Sequence, residues 1–368
     1  MRLKELGEQA LLDWIRKRAG RNGAKGLLLG IGDDAAVFRV GTGKTGTKTK
    51  TLATSDMMLE GVHFDLRYQT PYQLGFKLAS VNVSDIYAMG GRPRFAFFEL
   101  GAPSETPVEF IKQVFEGVFD ALGFYKAQLA GGDLSASRSG LVLNMSMIGE
   151  GENIIKRSGA RPGDGLYVTG PLGDSACGLA LMRKIGRPVQ LGKIKNNKMV
   201  PIGKKGKPVR TGRKDRIDRP LPWEVMRPLL ERHLMPVAKR APKTKKASAM
   251  MDISDGLLID VIRLCKESSV GVRIYEAGIP VSDELRQAAG VLGLDALALA
   301  KTGGEDYELL YTIPRKRKQA APSEKAAAGR KSDGILIGEI IEAGYCIEGE
   351  SGAIKKFRAG GYEHFSGV

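Results

Sequence analysis

The chain is short of the residues that hold soft metals or act as nucleophiles. Among 368 residues there are three histidines (His63, His233 and His364) and three cysteines (Cys177, Cys265 and Cys346). No H-E-x-x-H, paired C-x-x-C or G-x-S-x-G pattern occurs, so a zinc site and a serine or cysteine nucleophile lack support. An odd number of widely spaced cysteines argues against a disulfide framework and for a reducing compartment, so the cytoplasm is the expected location. No run of about 18 apolar residues is present to span a membrane. The opening "MRLKELGEQALLDWIRKRAG" lacks the apolar core of a signal peptide. Leu6, Ala10 and Trp14, with Leu11 and Ile15, recur instead on one side of a helix.

Acids are outnumbered, 41 against 57 Lys and Arg, for a formal charge of +16. The excess collects in Lys193 to Arg219, Ala238 to Lys246 and Arg315 to Lys318. These runs carry almost no aromatic residues to stack on bases, so they read as solvated insertions and nucleic acid is not an expected partner. Composition, at 42% hydrophobic and 27% charged, is that of a globular protein.

Strand-like and helix-like segments alternate. Thr51 to Asp56, Arg94 to Gly101 and Leu141 to Gly151 read as strands, and Pro71 to Gly91 as a helix. A further helix follows, with Thr106 as its N-cap and Pro107 in its first position. Later come "SACGLALMRK", a helix after "MDISDG", and the strands "GVRIY", "YELLYTI" and "GILIGEI". The pattern predicts two α+β domains, 1–150 and 151–368, the second carrying the basic insertion around 191–222.

The informative residues are acids placed in turns and at element ends. "LLLGIGDDAAVF" sets Asp33 and Asp34 between two apolar runs, "ATSDMMLEGVHF" ends a strand at Asp56, and "VNVSDIYAMGG" puts Asp85 on a helix. "QLAGGDLSAS" places Asp133 after two glycines, and "MMDISDGLLID" sets Asp252 and Asp255 three apart. Hard oxygen ligands of this kind suit Mg²⁺, which prefers carboxylates, waters and substrate phosphates. Two decoys fail. "GTGKTG" lacks the first glycine of a Walker A loop, that position being Phe38. Gly30 to Ala35 fits G-x-G-x-x-A, but two carboxylates would face a pyrophosphate without a counter-charge, and "AAVFRV" reads as a strand. A metal-bridged phosphate site removes that objection.

Together "GIGDDAAVF", "SDMMLEGVHF", "LASVNVSDIYAMGGRP", "LAGGD", "RSGARPGD", "VTGPLGDSACGLAL", "MDISDGLLID", "GGEDYELLYT" and "GGYEHF" resemble, in order, the thiamine-monophosphate kinase family of the aminoimidazole ribonucleotide synthetase-like superfamily. The resemblance implies an α/β (α+β) fold of two domains, with the N-terminal domains pairing into a barrel across a homodimer. It implies transfer of the ATP γ-phosphoryl onto thiamine monophosphate, giving thiamine diphosphate and ADP, with several Mg²⁺ ions and no phosphoenzyme. Carried onto this sequence, Asp34, Thr54, Ser55, Asp56, Asp85, Asp133, Asp252 and Asp255 would hold the metals. Tyr125, Gly132, Asp133, Arg157 and Ser254 would contact ATP, the co-substrate. His63, Glu305 and Tyr362 would meet thiamine monophosphate, and Asp33 would serve the turn. Leu134, where the family usually has Thr, Tyr87, where a small residue is common, and the long basic insertion depart from the pattern. Two rival readings remain at this level: another ATP-using enzyme of the superfamily, and a basic nucleic-acid-binding protein on a decayed scaffold.

Overall fold

A computed structural model of the chain describes residues 2–19, 25–39, 48–195, 198–200, 221–240, 247–315, 334–362 and 364. The "GTGKTG" stretch, most of the basic insertion and Lys316 to Lys318 lie outside them. The first half runs α1 (Leu3–Leu6), α2 (Glu8–Ala19), β1 (Leu27–Leu29), β2 (Ala36–Phe38), β3 (Lys50–Leu59), α3 (Pro71–Ala88), β4 (Arg92–Ala102), α4 (Val108–Tyr125), β5 (Gln128–Ala136) and β6 (Val142–Gly151). Its strands form one sheet in the order β1-β2-β3-β6-β4-β5. Pairing is antiparallel except between β4 and β5, which α4 links as a crossover.

Strand alternation gives this sheet two unlike faces. Leu52, Met58, Ala96, Phe98, Leu143, Met145 and Met147 are buried and belong to the core that α3 and α4 share. The opposite face carries Ser55, Met57, Phe95, Phe97 and Asp133, all exposed in the single chain.

The second half runs β7 (Gly165–Val168), α5 (Asp174–Ile185), β8 (Lys193–Lys195), β9 (Lys198–Val200), α6 (Trp223–Leu234), β10 (Ala249–Asp252), α7 (Leu257–Ser268), β11 (Gly271–Tyr275), α8 (Asp283–Leu292), α9 (Ala296–Thr302), β12 (Leu309–Ile313), β13 (Ile335–Ile341), β14 (Tyr345–Glu348) and β15 (Ile354–Lys356). A second sheet follows the order β10-β12-β7-β13-β11-β14-β15, while β8 and β9 pair apart. Among the described residues neither sheet closes into a barrel. Among the described residues no helix is long and apolar enough to cross a membrane.

Helix α3 explains how the halves meet. A helix apolar on all sides must be enclosed, and nearly every α3 residue is buried. Thr70 caps it, its hydroxyl accepting from the Gln73 N–H, and Pro71 occupies the first turn. One side of α3 lies on the first sheet, another on α4, and a third on α6 and β10 of the second half. Leu181 of α5, Leu229 of α6 and Leu285 of α8 join the same core. Contact with α4 is close enough to need glycine: a Cβ on Gly75 would sit 1.9 Å from the Val114 carbonyl oxygen, and one on Gly117 2.0 Å from that of Tyr72.

Four local readings need correction. Thr106 does not cap α4; its N–H is spent on Pro103 O in the preceding turn, and Pro107 takes the cap position. The opening helix is broken at Gly7 (φ +78°), and its apolar residues are not buried, Trp14 being 64% exposed. Asp133 is not in a turn but inside β5, on the sheet edge. The strand after "GGED" starts only at Leu309, because Glu305 and Tyr307 adopt positive φ (+64° and +50°) and cannot continue a strand.

Candidate active site

Three carboxylates from three separate elements converge where the halves meet. Asp34 comes from the turn before β2, Asp85 from the last turn of α3, and Asp252 from the end of β10. Each offers an oxygen, and the three atoms lie within 4.8 Å of one another. Each elbow is fixed by a neighbour. Thr54 Oγ1 donates to Asp85 Oδ2 at 2.5 Å, and Ser84 Oγ donates to Asp252 Oδ2 at 2.6 Å. The Asp56 N–H donates to Asn82 Oδ1 at 3.2 Å, anchoring β3 to α3 beside the cluster.

Like charges this close repel by at least about 3.5 kcal/mol per pair at an effective dielectric of 20. The titration of the acids reflects it. Asp85 and Asp252 are pushed well above the ordinary carboxylate range, chiefly by burial and further by neighbouring acids. Asp56 is pushed up to about 6 by burial, then by Asp255 and Asp34. Asp34 Oδ1 accepts from Arg157 Nη2 at 2.6 Å, whereas Asp34 Oδ2 is buried with no hydrogen-bond partner among the described residues. Burial opposes the Arg157 charge, but Asp34, Asp252 and Asp260 together outweigh it and hold the guanidinium above its usual range. Asp33 ties its turn to the segment that leads into the second half: its Oδ1 accepts from the Arg157 N–H at 2.5 Å.

The turn after β10 is organised by an acid that sequence reading passed over. Asp260 Oδ2 accepts from the backbone N–H groups of Ser254, Asp255 and Gly256 at 3.0–3.1 Å. Asp255 stands just outside the trio, tied to Arg263, which also reaches Asp260 at 2.8 Å. Only "SDG" followed by an acid on the next helix turn could have flagged Asp260.

A second wall carries the residues assigned to the acceptor. His63 Nδ1 accepts from the Leu59 N–H at 3.0 Å, which leaves the ring proton on Nε2. Burial, then His364, lowers its pKa and keeps it neutral. The His63 and His364 rings are 5.2 Å apart, and Tyr362 meets His364 edge-on at 4.9 Å. The chain end is pinned there because the Tyr362 N–H donates to Asp255 O at 3.0 Å. Glu305 faces the same space, with Lys77 Nζ at 2.8 Å from Oε1 and His233 Nδ1 at 3.1 Å from Oε2. Lys77 and His233 were missed, although a lone Lys within the apolar α3 run was a signal.

Not every expected residue joins. Ser55 points to the opposite face of β3 from Thr54 and Asp56, toward Ser146 and Asn144. Asp133 is in register with Glu99, Asn144 and Met57, three strand spacings or about 14 Å across the sheet. Gly132 (φ +156°) lies beside it, with no room for a Cβ against Phe98 O. The Tyr125 hydroxyl is buried, bonded to Ser80 Oγ and the Ala238 N–H. Near it Tyr87, buried, stacks edge-on to Tyr125 and lines a cavity of about 350 Å³ with Arg240. Leu134 is 68% exposed on β5.

Known proteins are similar to this chain in sequence and fold. Family models described as "AIR synthase related protein, N-terminal domain" and "AIR synthase related protein, C-terminal domain" match residues 32–150 and 161–345. The chain is 35% identical over 320 residues to the thiamine-monophosphate kinase of Aquifex aeolicus, covering 86% of this chain and 89% of that protein. It is 33% identical over 302 residues to that of Bacillus subtilis, covering 81% and 82%. A solved structure described as "AaThiL complexed with AMPPCP and TMP" superposes with a TM-score of 0.75 at 32% identity, covering 99% of both chains.

Proposed function

The chain belongs to the thiamine-monophosphate kinase family of AIR synthase-related proteins and is a phosphotransferase acting on thiamine monophosphate with ATP, a reaction that we propose it performs by metal-assisted in-line transfer. The observation that carries the mechanism is the Asp34, Asp85 and Asp252 cluster, with its buried and unpartnered Asp34 oxygen. Hard oxygens only, mutual repulsion and an orphan acceptor fit Mg²⁺. Asp34, Asp85 and Asp252, with Asp56 and Thr54, would hold it, and Asp255 stands within reach of the same charge field. Bound Mg²⁺ would neutralise phosphate oxygens that otherwise repel one another.

The chain's own groups do the rest. Arg157 is placed to pair with phosphate oxygens of ATP, with Ser254 in the turn held by Asp260. An already ionised acceptor phosphate needs no proton removed, so no side chain acts as general base. His63, with its proton on Nε2, can donate to that phosphate. Tyr362, 46% exposed, offers a ring face to the cationic thiamine ring. Glu305 supplies acceptor oxygens to the same substrate.

Asp133 and Gly132 are too far across the sheet to complete this cluster in one chain. We propose that they act in a homodimer, where the exposed face bearing Met57, Phe95, Phe97 and Asp133 meets a second copy. Exposed aromatics and the position of β5 as an edge strand among the described residues support pairing there. Residues 1–150 then form the ATP, metal and dimerisation domain, and 151–368 the second domain. Free thiols at all three cysteines favour a cytoplasmic site.

The test is thiamine diphosphate formation from ATP and thiamine monophosphate with and without Mg²⁺. Metal-dependent product is expected. Product at full rate in chelator would sink the mechanism, and no product from folded protein would return the choice to other ATP enzymes of the superfamily.

A further inference from the structure

Glu305 is an unusual ligand for a small substrate, because most of its surroundings are already committed. It sits at φ +64°, a strained backbone for a residue with a side chain, of the kind found where geometry matters. Its side chain is 29% exposed. Behind it lie Lys77, 1% exposed, and His233, 5% exposed. Lys77 comes from α3 in the first half of the chain, and His233 and Glu305 from the second. The Lys77 ammonium has no other partner among the described residues.

A buried ammonium with a single partner is costly to keep, so its place needs a reason. It cannot be direct contact with substrate, since the Lys77 nitrogen is itself buried, with the partly exposed Glu305 carboxylate 2.8 Å away. We propose that Lys77 is a positioning residue for the acceptor: with His233 it fixes the Glu305 carboxylate so that its outward lone pairs meet thiamine monophosphate. This rests on the reading of Glu305 as an acceptor-binding residue. Because the pair spans the two halves, the acceptor subsite is correctly shaped only when α3 is docked against α6 and the loop before β12. Burial alone would favour a neutral carboxyl, whereas Lys77 and then His233 hold Glu305 well below the ordinary range and ready to accept hydrogen bonds.

The experiment compares wild type, Lys77→Met, Lys77→Arg and Glu305→Gln by steady-state kinetics, with calorimetric titration of thiamine monophosphate in the absence of ATP. Lys77→Met is expected to raise KM and Kd for thiamine monophosphate about tenfold or more, leaving kcat and KM for ATP within about twofold. Lys77→Arg should recover most of the loss. In a Glu305→Gln background, Lys77→Met should add little, because the two act as one unit. An unchanged KM for thiamine monophosphate, equal losses in both substrates, or full additivity with Glu305→Gln would each overturn the proposal. Should Lys77→Met not fold, His233→Asn reads the same split. Wild type that binds thiamine monophosphate but does not phosphorylate it would refute the kinase reading while leaving this inference to stand on the Kd values.

Discussion

Arg157 holds one oxygen of Asp34 at 2.6 Å and leaves the other buried, without a hydrogen-bond partner among the described residues. The pair joins the turn before β2 to the segment that leads into the second half. It places a cation and an uncommitted carboxylate oxygen side by side, which suits a site that receives a metal and a phosphate together. Replacing Arg157 with Met should raise KM for ATP about tenfold or more, by removal of a charge-assisted bond. Arg157→Lys should recover only part of it, since a point charge does not reproduce the planar fork. Equal KM for ATP in all three proteins would remove Arg157 from nucleotide binding.

Neutralising an acid of the cluster should separate stability from activity. Asp85→Asn keeps the Thr54 contact and removes an acid whose ionisation burial and the neighbouring acids oppose. Metal-free protein should therefore melt a few degrees higher, while product formation falls about 100-fold or more. The Mg²⁺-induced rise in Tm should shrink in the same variant. A variant that loses activity but keeps the full Mg²⁺ response in calorimetry would place the metal elsewhere.

Acid should weaken metal binding in a defined window. Asp56 titrates at about 6, and Asp85 and Asp252 are also raised well above the ordinary carboxylate range, so the folded metal-free protein holds protons that the unfolded chain has released. Stability without metal then falls as pH rises from the ordinary carboxylate value through about 6 and beyond. Metal binding has the opposite slope, because these protons must leave first. The Mg²⁺ concentration for half-maximal activity should rise steeply as pH drops through about 6, with proton release on binding measurable by calorimetry in buffers of different ionisation enthalpy.

A shared site makes a prediction that a single-chain site does not. Asp133→Asn and Asp252→Asn should each be nearly inactive as pure proteins. Mixing them under conditions that exchange subunits should restore activity, because one site of each mixed dimer is intact. If the mixture stays as inactive as its components, Asp133 serves its own chain or has no part in the reaction.

The crossing of α3 and α4 is the mechanical support of the cluster. Gly117→Ala would push a methyl to 2.0 Å from the Tyr72 carbonyl oxygen. A destabilisation of about 1–3 kcal/mol is expected, read as a drop in Tm, with activity falling as Asp85 and Lys77 shift together. An unchanged Tm would show that the helices separate freely.

The sequence by itself determined the family, the reaction and the acidic character of the site. Asp34, Asp85 and Asp252 were legible because acids beside Gly and Ser, repeated at the ends of apolar segments, are hard to explain by turn chemistry alone. The long periodic segments, α3 and β3 among them, were legible for the same reason: local pattern and burial agree. Tertiary structure alone decided which acids share one point. Ser55 and Thr54 are neighbours in the chain, but the pleat sends them to opposite faces of β3. Asp133 reads as one more acid after glycines, but the β3-β6-β4-β5 order puts it about 14 Å from the cluster's side of the sheet. Lys77 and His233 are 156 residues apart and mean little separately; only the docking of α3 against α6 sets them behind Glu305. Sequence pattern is a record of local preference and of which faces are apolar, whereas the meeting of distant polar groups depends on strand order and helix crossing, which no single stretch of chain encodes.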